Sequence, residues 1–67
     1  MMINVNGVPS ETLENATIAS LVVELGLQDT KGIAVAVNGA VEPRGGWATR
    51  KLAAGVEVLV IRATQGG

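Results

Sequence analysis

One short amphipathic segment constrains the fold of this chain more than any other feature. Thr17 is a good helix N-cap, and the apolar residues after it, at spacings of three, four and seven, lie on one helix face: Ile18, Leu21, Val22 and Leu25. Gly26 suits a left-handed C-cap, with Leu27 as its hydrophobic partner. A helix of about nine residues is unstable alone in water, so its apolar face must rest on another element.

A sheet is the predicted partner of this helix, and its first part is a hairpin. Residues 3–5 alternate apolar and polar side chains, which is the period of a half-buried strand, and Asn6-Gly7 suits a tight turn. The return strand is predicted near Glu11 to Leu13, because Pro9 lacks a hydrogen-bond donor just before it.

The rest of the sheet is predicted from the second half of the chain. Residues 33–37 form an apolar strand, Asn38-Gly39 a second tight turn, and residues 40–42 a short strand that ends at Pro43. After a loop with one helical turn, residues 56–62 are rich in Val and Ile and form the last strand. The predicted class is α+β, a mixed sheet of four to five strands with one helix on one face, in a domain spanning residues 1–62.

The composition excludes most catalytic chemistry. The chain of 67 residues has no cysteine and no histidine, so it has no thiolate, no imidazole base and no Ser-His-Asp or Cys-His nucleophile. Glu11 and Glu14 are three residues apart but have no partner acid or base in their polar stretch. We therefore expect no enzyme, no catalytic residue and no metal site in this chain.

The charge and the aromatic content indicate which partners to exclude. The net charge is −1 and Trp47 is the single aromatic residue, so nucleic-acid binding has neither a cationic stripe nor a stacking platform, and Trp47 is expected to cover the core. The first residues lack a basic segment followed by a long apolar run. We expect a cytoplasmic protein that does not act on a membrane.

The segment after the last strand is the first candidate site. Residues 63–67 form a short tail that ends in Gly66-Gly67. A tail without side chains in its last two residues can thread a narrow channel, and a terminal glycine carboxylate is the least hindered acyl group a chain can offer. The alternative interpretation is an inert, frayed end.

The last strand holds the second candidate. If Val58 and Val60 face the helix, Leu59 and Ile61 lie on the uncovered side of the sheet, beside the alanines of residues 33–37, and form an exposed apolar patch. Periodicity alone leaves the opposite parity, or a loop covering the patch, equally open.

Several short motifs in this order resemble the ThiS family, the sulfur carrier proteins of thiamin biosynthesis. They span the whole chain: Val5-Asn6-Gly7, the Thr17 helix ending Leu25-Gly26-Leu27, Val35-Ala36-Val37-Asn38-Gly39, Pro43-Arg44 with Trp47-Ala48, and Ala63-Thr64-Gln65-Gly66-Gly67. Val56, where relatives usually carry Asp, and Gly45-Gly46 depart from the family pattern away from the tail.

The resemblance implies the ubiquitin-like β-grasp fold and a mechanism. An E1-like adenylyltransferase of the ThiF type would use ATP and Mg²⁺ to activate the Gly67 carboxylate. A persulfide donor linked to a cysteine desulfurase would convert it to a thiocarboxylate, which would deliver sulfur to a thiazole synthase of the ThiG type. The carrier itself would bind no cofactor. Gln65 and Gly66 would thread into the partner, and Leu59 and Ile61 would belong to the partner-binding patch.

Three alternatives remain open from the sequence. The small subunit of molybdopterin synthase shares the fold and the Gly-Gly end, although that family is usually longer and contains Phe, which this chain lacks. A ubiquitin-like modifier would join Gly67 to a lysine of a target protein. A plain interaction domain would bind a partner with its sheet face and have an inert tail.

Overall fold

A five-stranded mixed sheet with one helix across one face forms the fold in the computed structural model, which describes residues 1–27 and 31–62. The elements are β1 (Met2–Val5), β2 (Val8–Glu11), α1 (Ile18–Glu24), β3 (Ile33–Val37), β4 (Ala40–Glu42), a 3₁₀ turn (Arg44–Gly46) and β5 (Glu57–Arg62). The strand order is β2-β1-β5-β3-β4, in which β1 and β5 are parallel and the other pairs antiparallel. The predicted α+β class is confirmed.

Both hairpins turn at an Asn-Gly pair. Asn6 and Asn38 have φ values of 52° and 50°, and the glycines after them have φ values of 81° and 86°. Positive φ at both central residues gives the turn whose twist matches that of the flanking strands. The first turn sets Val5 opposite Val8 and therefore fixes the whole register of the hairpin.

The return strand of the first hairpin begins earlier than the sequence predicts. It runs over Val8–Glu11 and contains Pro9, whereas the expected strand was near Glu11 to Leu13. The pair that closes a two-residue hairpin is hydrogen-bonded, so the next pair, Asn4 with Pro9, is not. The nitrogen of Pro9 therefore points away from β1 to the outer edge of the sheet, where the missing donor costs no bond.

The helix begins at a capping box. The hydroxyl of Thr17 accepts from the Ser20 amide at 3.1 Å, and the Ser20 hydroxyl accepts from the Thr17 amide at 2.9 Å. The first two amides of α1 donate to the carbonyls of Arg50 and Trp47, both at 3.1 Å. These bonds satisfy the amides that a helix start leaves without intrahelical partners, and they attach the 47–52 segment to the helix.

The helix is followed by a left-handed glycine at the predicted position, Gly26, but its last residue is Glu24, one residue before the expected Leu25. Gly26 has a φ of 78°, its amide donates to the Val23 carbonyl at 2.9 Å, and the Leu27 amide donates to the Val22 carbonyl at 3.3 Å. This is the Schellman pattern. Because Leu25 is the C-cap, it lies off the buried face and is 42% exposed, contrary to the prediction that it packs with the other apolar residues of the helix.

The core lies between α1 and the face of the sheet that the helix covers. It contains residues of α1, of the three inner strands β1, β3 and β5, and of the 47–52 segment: Ile3, Val5, Ile18, Leu21, Val22, Ile33, Val35, Val37, Trp47, Leu52 and Val58. Burying one such aliphatic side chain contributes roughly 1.5–3 kcal/mol. Trp47 is buried, as expected of a residue that covers a thin core.

Within residues 1–27 and 31–62 no helix has the length and the apolar run needed to cross a membrane.

Candidate functional site

The strand that leads to the tail occupies the centre of the sheet. β5 lies between β1 and β3, and Arg62 is its last residue. The predicted tail residues Gln65, Gly66 and Gly67 follow in sequence and lie outside the described residues. The described part of the candidate site is therefore the strand that carries the tail and the surface around that strand.

The parity of β5 is clear in the structure. Val58 is fully buried, and Val60 packs partly buried against the core. Leu59 and Ile61 are 47% and 48% exposed on the opposite face, which the helix does not cover. The structure thus places both predicted patch residues on the uncovered face.

Small neighbours leave these two side chains prominent. Leu59 stands opposite Ala36, and Ile61 opposite Ala34, in the pairing of β3 with β5. On the other side of β3, Ala36 stands opposite Val41, which is exposed like Leu59 and Ile61, whereas Ala36 itself is buried beneath these larger neighbours. We call these five residues, Ala34, Ala36, Val41, Leu59 and Ile61, the open-face patch. It is a contiguous apolar surface of the kind that marks protein interfaces.

Val41 is a member of this patch that the sequence reasoning missed. The signal was present, because a two-residue turn at Asn38-Gly39 sets Val37 opposite Ala40 and hence Ala36 opposite Val41. Deriving the register from the turn would have added Val41 to the patch.

Two asparagine side chains hold β5 from both sides, a contact that no pattern in the sequence indicates. The Asn6 side-chain oxygen accepts from the Val60 amide at 2.8 Å, across a separation of 54 residues. The Asn38 side-chain oxygen accepts from the Glu57 amide at 2.9 Å. Each asparagine thus forms a tight turn and also extends the hydrogen bonding along one side of β5.

A groove of about 660 Å³ lies on the other side of the molecule, between α1 and the 3₁₀ turn. Val22, Val23 and Leu27 form its apolar wall, and Trp47 forms its base. The Arg44 guanidinium lies 5.5 Å from the centre of the Trp47 ring, a cation–π distance. The indole N–H donates to the Glu42 carbonyl at 3.0 Å, so Trp47 has a structural role that accounts for its position.

The two acidic residues considered as catalytic carboxylates both pair with the amino terminus. The Met1 ammonium lies 2.7 Å from Glu11 and 3.3 Å from Glu14, and it donates to the Thr12 carbonyl at 2.7 Å. Hydrogen bonding to Glu11, aided by Glu14 and opposed by desolvation, raises the pKa of this ammonium. Among the described residues, no group of three or more side chains is arranged to hold a metal ion.

Comparison with known proteins gives one family. The model of the ThiS family matches residues 3–67. The crystal structure of the thiamine biosynthesis protein (ThiS) from Geobacter metallireducens is 26% identical, aligns over 100% of both chains and has a TM-score of 0.86. The NMR solution structure of a thiamine biosynthesis protein from the same organism is also 26% identical, with a TM-score of 0.82 over 100% of this chain and 88% of the other. Comparison with curated protein sequences gives no significant match.

These matches confirm the β-grasp prediction and favour a thiamin-biosynthesis sulfur carrier over the three alternatives that the sequence leaves open. The family match covers the tail residues as well as the sheet and helix, and the matching structures are thiamin biosynthesis proteins.

Proposed function

This chain belongs to the ThiS family of thiamin-biosynthesis sulfur carriers, and on that premise we propose that the Gly67 carboxylate is the group that carries the sulfur. The observation that supports the proposal most is the family match through residue 67, on a fold whose central strand leads into that segment. The rest of the chain then serves to hold β5 in place and to present a surface to partner enzymes.

The first proposed step makes the carboxylate electrophilic. An E1-like adenylating enzyme of the ThiF type joins the Gly67 carboxylate to AMP, using ATP and Mg²⁺ and releasing pyrophosphate. A carboxylate is a poor electrophile, and the acyl-adenylate gives it a good leaving group. The carrier acts as a co-substrate and supplies no acid, base or thiol, in keeping with its lack of cysteine and histidine.

The second step brings in the sulfur. The outer sulfur of a donor persulfide, ultimately filled by a cysteine desulfurase, attacks the acyl carbon, and AMP leaves. A thiol then cleaves the resulting acyl disulfide, so that the thiocarboxylate stays on Gly67 and the donor becomes a disulfide. A thiazole synthase of the ThiG type would then receive the sulfur.

Recognition would combine the open-face patch with the tail. Leu59 and Ile61 lie within three residues of Arg62, so a partner that covers the patch also holds the base of the tail. Gln65 and Gly66 would pass through a narrow channel, which side chains at the last two positions would block. Five extended residues reach at most about 18 Å, so the partner's active site must lie within that distance of Arg62.

Intact mass spectrometry tests the proposal. After incubation with ATP, Mg²⁺, an E1-like adenylating enzyme from the same organism and a persulfide source, the carrier should gain about 16 Da, because sulfur replaces oxygen in the carboxylate. A variant that lacks Gly67 should keep its fold and gain nothing. If the truncated carrier gains the same mass, Gly67 is not the site. A mass gain equal to a whole protein would indicate a ubiquitin-like modifier instead.

A further inference from the structure

The two sides of β5 are paired over different lengths. β3 runs beside the strand along most of its length, from Ile33 opposite Arg62 to Val37 opposite Val58. β1 pairs with it through two residues only, Asn4 and Val5. Since the chain then turns away at Asn6, the outer half of β5 has a strand on its β3 side and none on its β1 side.

The hydrogen bonds show which backbone groups face this open side. The Asn6 amide donates to the Val58 carbonyl at 2.9 Å, and the Val60 amide donates to the Asn6 side chain at 2.8 Å. Even-numbered residues of β5 therefore direct their polar groups toward β1, because these groups alternate along a strand. The next groups on this side are the Val60 carbonyl and the Arg62 amide, and no bond to either occurs within residues 1–27 and 31–62.

These two groups are spaced as a parallel ladder requires. In such a ladder one residue of the incoming strand donates to the carbonyl before its partner residue and accepts from the amide after it. A residue opposite Ile61 would thus bond both the Val60 carbonyl and the Arg62 amide. The Asn6 side chain occupies the preceding rung, where it replaces the backbone carbonyl that the turn has moved away.

We propose that the Val60 carbonyl and the Arg62 amide form an edge to which an extended strand of the adenylating enzyme adds, in the position that β1 leaves at Asn6. Unpaired strand edges recruit extended segments through main-chain bonds. The inference rests on the proposed function, because it takes that enzyme as the partner. It assigns a second element to recognition, besides the open-face patch and the tail.

The surroundings of the edge favour a partner strand over other occupants. Ile61 lies between the two groups, with its side chain in the open-face patch, so a strand on this edge continues the surface that the same partner would cover. The tail follows Arg62 directly, and main-chain bonds from Ile61 to β3 and from Arg62 to the partner strand would together fix the direction in which the tail leaves the sheet. Binding at this edge would thereby also orient the tail, so that the Gly67 carboxylate is directed toward the ATP phosphate with which it reacts.

Amide exchange measures the edge directly, without a mutation. The ¹⁵N-labelled carrier is compared free and saturated with the E1-like adenylating enzyme from the same organism, in the absence of ATP. The Val60 amide should be protected in both states, because Asn6 already accepts from it. The Arg62 amide should exchange fast in the free carrier and at least about tenfold more slowly in the complex.

A proline substitution removes the donor alone. The Arg62 amide faces the β1 side, so Arg62→Pro deletes the edge donor and no bond to β3, and Arg62→Ala is the matched control that deletes only the side chain. Loss of one main-chain bond should make the proline variant bind roughly three- to tenfold more weakly than the alanine variant. Circular dichroism checks that both variants keep their fold.

Three results would overturn the proposal that a partner strand adds to this edge. The Arg62 amide could stay unprotected in the saturated complex, the two variants could bind equally, or the amide could become protected in the free carrier as its concentration rises, which would identify a second copy of this chain as the occupant. Adenylation of Gly67 by the enzyme in the same samples would show that the proposed function stands while the edge fails. Absence of adenylation would count against the function itself.

Discussion

The side chain of Asn6 should be worth about as much to stability as one backbone hydrogen bond. Asn6→Gly removes the 2.8 Å bond to the Val60 amide, whose net value is roughly 0.5–1.5 kcal/mol. Two backbone effects oppose each other, since glycine adopts the φ of 52° without strain but loses more freedom on folding. The bond is exposed, so water can solvate the freed amide, and we expect a loss of about 1 kcal/mol.

The loss is measurable against the stability expected for a chain of this size. At about 0.05–0.15 kcal/mol per residue, 67 residues correspond to roughly 3–10 kcal/mol in total. A loss of about 1 kcal/mol should lower the melting temperature by about 4–8 °C. Urea unfolding followed by Trp47 fluorescence gives the free energy, and hydrogen exchange of the Val60 amide reports on the bond itself.

Asn6→Asp is the matched control. It keeps a side-chain oxygen in the same place and an Asp-Gly pair that supports the same turn, so it should stay within about 0.5 kcal/mol of the wild type. The reasoning is refuted if the aspartate variant loses as much stability as the glycine variant. It is equally refuted if the Val60 amide exchanges no faster in Asn6→Gly than in the wild type.

Three further outcomes follow from burial and charge. Val58→Ala should lower the free energy of unfolding in urea by about 2 kcal/mol, because the Val58 side chain is fully buried. Leu59→Arg should lower it by about 0.5 kcal/mol or less and instead weaken binding to the adenylating enzyme at least about tenfold by calorimetry. A large stability loss in the arginine variant would place Leu59 in the core. Trp47→Phe should cost about 1 kcal/mol by circular dichroism, since it leaves the Glu42 carbonyl without its donor, and an unchanged midpoint would show that this bond adds nothing. The pKa of the amino-terminal ammonium is raised in the folded chain, so its pairing with Glu11 stabilises the fold below pH 8, and this contribution should be lost as the pH rises above the folded pKa. Urea midpoints measured from pH 7 to 10 should therefore fall less in Glu11→Gln than in the wild type. Equal slopes in the two proteins would contradict the pairing.

The central position of β5 explains how a chain with so little chemistry could act as a carrier. The strand is held by β1 and β3 and by two asparagine side chains, so its last described residue, Arg62, has a defined place in the sheet. A reactive group at the end of a short tail needs this kind of fixed base, because the partner must find it within a few residues' reach.

Local features of the fold could be predicted from the sequence because short-range interactions decide them. The Asn-Gly turns, the Thr17 cap and the left-handed Gly26 each depend on residues within a few positions, and the structure has all of them. Pro9 shows where such reasoning stops. A proline is read as the end of a strand, but its effect depends on whether its nitrogen points toward a neighbouring strand, which only the register settles.

The candidate site likewise has features that the sequence shows and features that depend on the tertiary structure. The glycines of the tail and the apolar residues of β5 are visible in the sequence, as is the absence of reactive side chains. The face on which Leu59 lies depends on which side of the sheet the helix covers. The sequence shows that side chains of β5 alternate between the two faces of the sheet, but it does not show which set lies on the face that the helix covers.

The sequence alone therefore determined the order of the elements, the turns and the class of fold, although not the bounds of β2, and it shows that the chain has no cysteine and no histidine. These features follow from residue types and near neighbours. The tertiary structure decided the faces and the edges: the open-face patch, the contacts of Asn6 and Asn38 with β5, and the unpaired side of the outer half of that strand. Their physical reason is the sheet order, in which β5 enters between β1 and β3 from the far end of the chain and meets partners up to 54 residues away.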